Sequence, residues 1–499
     1  MKKTSLLLLV TVTSGFGQIA GINIRAQRGK ANEVFIAVRT DGKPGTGTEE
    51  DPYDGSTQVR FDALMARFKP NTTIHLGLGT FLTNVIPKTG PAAGYGTAFF
   101  VQSGWRIIGA GIDRTTVKMT GNLRTFTTDC EAFKSNSAVA TNNVRIENLT
   151  IDCNYAVLSA NAVTANGQKN FRSGGIQLWG NNITIENVHV IGQYGNFANR
   201  QESFAVGVAG PNDGSGATNN VINRCIVDGL PSAFTYGSPF AISGGPGLAT
   251  YCRVTNCLAA GRNTGNFTDT FNTGGVNLAT ASYCDITDNT FVDCASIAYH
   301  DTGTGDNISV FRNRLVRGWQ GVGAVATATG YSDTNWRIVG NNINIQNRSG
   351  ENSGIMLTGN ANSGHYVANN IINFTTAGGN GVAGFHSFIT SGLTSSDILF
   401  NTVDVAFAGL AVYDATFKGG TSGSRLLGNR KPGGGVDRYL QDTNTGITQA
   451  YIVATLPVGS RGDTALVTDA TTPTYLGTLT GGGSVVTPVF FDGASWRSY

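Results

Sequence analysis

The chain has 499 residues, with 35 Lys and Arg against 32 Asp and Glu, a net charge of +3. Near-neutrality over this length, with no basic run and no acidic tail, argues against nucleic acid as a partner. Only 13% of residues are charged, and 68 are glycine without a Gly-X-Y period, which excludes collagen and disfavours a disordered chain.

The N-terminus, MKKTSLLLLVTVTSGFG, has a positive start, a short apolar core at Leu6–Val10, and then small residues. Residues 1–17 read as a secretion signal, too short to span a bilayer. The other reading is an arm at the start of an assembled protein. No later segment is apolar enough to cross a membrane, so no membrane span is expected. In STQVRFDALMARF, residues Phe61, Leu64, Met65 and Phe68 fall at helical spacing, which predicts an amphipathic helix over 57–68. The strand-like TTIHLGLGTF follows it.

From residue 144 onward the chain repeats itself. VRIENLTI (144–151) returns 39 residues later as ITIENVHV (183–190). VINRCIV (221–227), RVTNCLA (253–259), DITDNTF (285–291), SVFRNRLV (309–316), RIVGNNINI (337–345), YVANNIINF (366–374), ILFNTVDV (398–405) and RLLGN (425–429) continue the series. Its anchors are Asn148, Asn187, Asn223, Asn256, Asp288, Asn313, Asn341, Asn369, Asn401 and Asn429. A second phrase precedes many copies: GGIQLWG (174–180), SFAVGVAG (203–210), PFAISGG (239–245), GGVNLAT (274–280), SIAYHD (296–301), SGIMLTG (353–359) and AGLAVYD (408–414). Each unit therefore reads strand, turn, strand, Asn, strand, loop, with period-2 alternation throughout.

Three short strands in a unit of about 30 residues predict a solenoid. A propeller blade needs four strands over about 40–45 residues and hairpin turns, which these units lack. The fold expected is all-β: a right-handed parallel β-helix of about ten coils stacked at about 4.8 Å, with an N-terminal capping helix and a small C-terminal β unit. The helix and loops would cover the unpaired backbone of the open ends. The predicted layout is a β-helix over 34–430 and a linker with a small β module over 431–499, starting at the KPGGG break. Seven cysteines is an odd number, with no metal-ligand spacing, so packing is their expected role. Cys252 and Cys284 each lie four residues before an anchor, so they should stack in adjacent coils, facing in, as a disulfide or as a reduced pair.

The anchoring column resembles the asparagine ladder of pectate-lyase-like β-helices, and FIAVRTDGKPGTGTEEDPYDGST resembles the entry segment of many such proteins. The segment GGGSVVTPVFFDGASW near the C-terminus resembles C-terminal segments of phage-type tail and fibre proteins. The first likeness covers roughly residues 34–430 and is one of fold. It implies a substrate groove along the strands GGIQLWG to SIAYHD, walled by the long loops 154–173, 192–203, 229–238 and 260–273. The second implies a homotrimer of parallel rods as one arrangement.

Within that region the polar candidates for substrate contact are Lys169, Arg172, Arg200 and Asn277, with Trp179, Tyr194 and Tyr236 placed to stack on sugar rings. Hydrolysis would need two carboxylates, for which Glu202 and Asp269 are the candidates. A lyase acting on uronates would need a base such as Arg, Lys or His, for which Arg262 with His300, next to Asp301, could serve, and a cation such as calcium to neutralise the carboxylate. The alternative for each is a solvated loop residue, and for His300–Asp301 a turn dipeptide. The paired aspartates, Gly-His-Gly and Arg-x-Lys of polygalacturonase-type hydrolases are absent, SGHY at 363–366 being the only approach, as is the Trp-Ile-Asp-His pattern of one pectate lyase type. No family's catalytic set therefore carries over, and whether the protein is an enzyme stays open at this point. The functional expectation is an extracellular or cell-surface protein that binds, and could cleave, a polysaccharide on its early coils. The alternatives are a phage-tail-like spike recognising a surface glycan, or a structural adhesive protein.

Overall fold

Short runs rich in Val, Ile and Thr, broken by residues that accept a left-handed backbone, leave the chain few options but short strands and sharp corners. The computed structural model describes residues 32–84, 86–87, 96–120, 130–154, 173–193, 203–228, 237–260, 274–325, 330–346, 352–376, 385–405, 421–422, 425–427, 450–456, 461 and 464–498. Among these, one sheet of 23 strands and a second of 15 run the length of a parallel β-helix. Pairing is parallel and in register from coil to coil: Arg145 beside Thr184, Thr184 beside Val221, Val221 beside Arg253, Arg253 beside Asp285. Inward side chains form one continuous core, with Ile146, Ile185, Ile222, Val254, Ile286 and Val310 all essentially inaccessible.

The first sheet folds each coil around a single residue in the left-handed region. That column comprises Asn148, Asn187, Arg224, Asn256, Asp288, Arg312, Gly340, Asn369 and Phe400, with φ between 51° and 68°. Asn, Asp and Gly tolerate this conformation best because they carry a short polar side chain or none. The next residue turns inward, and from Asn289 onward it is always asparagine: Asn289, Asn313, Asn341, Asn370 and Asn401 are all buried. Asn313 shows the pattern. Its backbone N–H and Nδ2 both donate to Asn341 Oδ1, at 2.9 and 3.0 Å, and Nδ2 also donates to the Ile286 carbonyl at 2.8 Å. From Asn289 to Asn370 the backbone N–H and Nδ2 donate to the asparagine of the coil that follows, and Nδ2 also donates to a carbonyl of the coil before.

The single anchoring column expected from the sequence is therefore two. Asn148, Asn187, Asn256, Asp288 and Asn369 form the corner itself, while Asn313, Asn341 and Asn401 belong to the internal ladder one residue later. Asn223 sits one residue before the corner and accepts from Thr255 Oγ1 and Asn256 Nδ2. Asn429 lies outside the described residues. In early coils the inward position is held by Leu149, Val188, Cys225 and Cys257, so the ladder there is apolar. Cys252 and Cys284 stack in neighbouring coils at the opposite corner, both buried and unbridged.

A helix over Gln58–Arg67 closes the N-terminal end. Thr57 caps it, its side chain accepting from the Arg60 N–H. Phe61, Leu64 and Met65 are buried, and Phe61 packs 5.0 Å from Phe81 and 5.4 Å from Phe99, ring centre to ring centre. Asp62 on the same helix accepts from Thr83 Oγ1 at 2.7 Å and from the Asn84 N–H, tying the cap to a strand.

The C-terminal β unit pairs Ala450–Tyr451, Thr464–Ala470, Val485–Phe491 and Trp496–Ser498 in one sheet. Its core is small: Ala465, Val467, Ala470 and Val489, with Trp496 packed against them. No helix among the described residues is long and apolar enough to cross a membrane.

Candidate functional site

The outer face of the second sheet carries a pocket of about 340 Å³. Its position follows from the strand alternation. Ile176 and Leu178 point into the core, so Gln177 and Trp179 point out. Parallel register then places Gln177 beside Gly207, Gly207 beside Ala241, and Ala241 beside Asn277. A second outward column runs Trp179, Ala209, Ser243, Ala279, Thr302. The middle of both columns is built from Gly207, Ala209, Ala241, Ser243 and Ala279, and these short side chains leave the depression. The amides of Gln177, Asn212 and Asn277 and the hydroxyls of Ser243 and Thr302 supply polar contacts around it. Trp179 and Phe204 supply aromatic surface.

Trp179 is held from behind. Its backbone N–H donates to Ser135 Oγ at 2.7 Å, and Lys134 Nζ lies 5.3 Å from its ring centre. Lys134 donates in turn to Glu131 Oε2 at 2.8 Å, and both side chains are almost wholly buried. A buried pair of this kind is expensive to desolvate and adds little to stability, so its value lies in fixing geometry.

The pocket brings together two of the residues singled out in the sequence, Trp179 and Asn277. Lys169, Arg172, Tyr194, Arg200, Glu202, Tyr236, Arg262 and Asp269 lie outside the described residues. His300 is not on the outer face. It pairs in register with Leu278, an inward position, and is fully buried. Its Nδ1 lies 2.7 Å from Asp333 Oδ1, at ion-pair distance but without hydrogen-bond alignment, and Trp336 packs nearby at 6.2 Å. A base enclosed in the core does not reach a polysaccharide outside it. The dipeptide is not a turn either. It lies within strand Ala298–Asp306, where register slips between Leu278–His300 and Ala279–Thr302, leaving the Asp301 backbone as the extra residue of a bulge.

Gln177, Asn212, Ser243, Thr302, Lys134 and Glu131 were not singled out in the sequence. For Gln177 and Ser243 a signal existed: aligning the copies on their inward residues puts them in phase with Trp179 and Asn277. Lys134 had none, because its role depends on a ring one coil away. Among the described residues no group of three or more His, Cys, Asp or Glu is arranged to hold a metal ion.

No protein-family model and no curated protein sequence matches the chain. Solved structures do. A mutant tailspike protein of E. coli bacteriophage HK620, in complex with a pentasaccharide, superposes with a TM-score of 0.55 at 14% identity, over 80% of this chain and 66% of that one. A second mutant of the same tailspike, also with pentasaccharide, gives 0.54 at 15%, over 75% and 63%. The A-module of the Azotobacter vinelandii mannuronan C-5 epimerase AlgE6 gives 0.44 at 15%, over 76% and 94%. The matched region spans just under two thirds of the tailspike's length. At such identities the tailspike likeness is one of fold, and it agrees with the parallel register of both long sheets. The chain is a right-handed parallel β-helix with a capping helix at one end and a small β unit at its C-terminus.

Proposed function

We propose that this protein binds a glycan on the outer face of its second sheet, and that it does so outside the cell or on a surface. The observation that carries this is the pocket: an aromatic wall at Trp179, a floor of small side chains, and amides and hydroxyls at its margins. Apolar ring faces and hydroxyl edges are what a sugar presents, so this mixture is complementary to it. The shared fold with a tailspike whose structure contains a pentasaccharide supports the same reading. A phage-tail-like spike working as a homotrimer is the form of it that the C-terminal likeness favours, and a leader at 1–17 would favour a secreted one.

Cleavage is the second reading. Glu202 immediately precedes Ser203, the first residue of the strand Ser203–Ala209 that runs under the pocket. Hydrolysis would pair it with Asp269, whereas a lyase would use Arg262 and a cation such as calcium.

The test is binding of the purified protein to immobilised mannan, galactan, dextran, alginate and polygalacturonate, with Trp179→Ala in parallel. Retention of the wild type with at least a tenfold loss in the variant supports the reading. No retention on any of these, or equal retention of both proteins, overturns it. Assaying new reducing ends and unsaturated uronates, with and without calcium, separates hydrolase, lyase and pure binder.

A further inference from the structure

The pocket has ends, and they limit what fits. Its lining begins at Gln177 and Trp179 and includes nothing from the preceding coil, residues 130–154. On that side stands Lys134, with its ammonium over the Trp179 ring and its charge bound to Glu131. One face of the indole is therefore occupied by a cation fixed in place, and the ring forms a wall across the run of the groove. The lining ends at Asn277, Ala279 and Thr302. Trp179 and Thr302 are four register steps apart, at about 4.8 Å each. Every described side chain lining the pocket is uncharged, and among the described residues the lysine beside it, Lys134, is paired with Glu131.

We propose that the pocket is a closed-ended site for a short, uncharged glycan unit of about two to three rings, since one of the four coil steps is taken up by the contact distance to the Trp179 ring and each sugar ring needs roughly one step. It takes a chain terminus or a side branch, not the interior of a long polymer threaded along the rod. Trp179 is the end wall on which the last ring stacks, and Lys134 with Glu131 are positioning residues that hold that wall. This rests on the glycan reading above, and sharpens it to a class of ligand.

The experiment is a length series. Manno- and galacto-oligosaccharides of one to six rings, and oligogalacturonates of the same lengths, are titrated by calorimetry. The expected result is a neutral series whose affinity rises to two or three rings and then stays flat within about twofold. Affinity climbing steadily through six rings overturns the closed end, and stronger binding of the oligogalacturonates overturns the uncharged class. If none of the series binds while a polymer does, the glycan reading stands and the closed end falls. If neither binds, both fall. A Lys134→Met/Glu131→Gln double variant, which removes both charges together, tests the positioning role. It should weaken two- and three-ring ligands several-fold and lose the plateau, with its thermal midpoint close to wild type. A plateau unchanged in this folded variant overturns the positioning role, and Lys134→Arg should retain the wild-type profile.

Discussion

On the first sheet each coil is stitched to the next. Arg145 reaches Glu147 and, one coil on, Glu186, which also takes Arg224. Arg312 holds Asp288 through two bonds of 2.8 and 2.7 Å, and Arg317 holds Asp293 likewise. Inside the same sheet's corner the asparagine ladder does this with amides. On the second sheet the corresponding outward positions are Gly207, Ala209, Ala241, Ser243 and Ala279, whose side chains are too short to carry a charged link to the next coil. The Arg–Glu and Arg–Asp pairs between coils gather on the first sheet, while the second is joined by its backbone and by scattered neutral or single-charge contacts such as Thr218 with Thr250 and Thr334 with Asp306. The second sheet is left free to present a depression to solvent, which is where a functional site costs the fold least.

If that division holds, substitutions on the first sheet should lower stability and spare binding, and pocket substitutions should do the reverse. The largest effect is expected at the ladder. Asn341→Leu removes the acceptor of the Asn313 N–H and Nδ2 and the donor to the Val310 carbonyl. Leaving buried polar groups unpaired costs about 1–3 kcal/mol each, so a loss of about 3 kcal/mol or more is expected in denaturant melts. A loss under about 1 kcal/mol would show that the ladder is ornamental to stability.

Next comes the corner facing the second sheet. His365 is buried, its Nδ1 accepting from the Trp336 backbone N–H and its Nε2 hydrogen-bonded to Asn362 Oδ1. Burial pushes its imidazole from the ordinary 6.5 down to about 3. The unfolded chain therefore binds a proton that the folded one refuses. Stability from this residue is fully present above about pH 6.5 and is lost as pH falls from there toward 3, by up to about 1.4 kcal/mol per pH unit. The penalty of His365→Asn should shrink as pH falls from 7 to 4, and a penalty constant over that range would contradict the burial effect.

Trp179→Ala should weaken glycan binding at least tenfold, about 1.4 kcal/mol, while the melting temperature stays close to wild type. The smallest effect belongs to the outer stitches. Arg312 is well exposed, and Arg312→Ala should shift the denaturation midpoint only slightly, by an amount that shrinks as salt is raised.

The β-helix was legible in the sequence because each coil repeats the same inward apolar positions, and register follows once they align. The helix was legible because Phe61, Leu64 and Met65 share one face. The ladder was half legible: pairs such as Asp288–Asn289 and Asn369–Asn370 carry corner and ladder side by side, and a pattern centred on either reads the same. His300 misled because one bulge later in its strand does not change where it points, and its alternation with Tyr299 placed it inside. The pocket was legible only at its polar and aromatic ends, since its floor is made of residues notable for lacking side chains. Of the end wall only Trp179 was legible; its backing by Lys134 was not, because the two meet only after the coils stack.

The central claim is that ligand contacts fall on the second sheet at Trp179. Hydroxyl-radical footprinting with and without a glycan retained in the binding panel tests it most directly. Trp179 should lose reactivity on binding, while the exposed stacked pair Tyr251 and Tyr283, at the corner between the two sheets, should not change. Unchanged Trp179 under saturating glycan, with protection of the tyrosine pair instead, would place the site elsewhere on the rod and contradict the account.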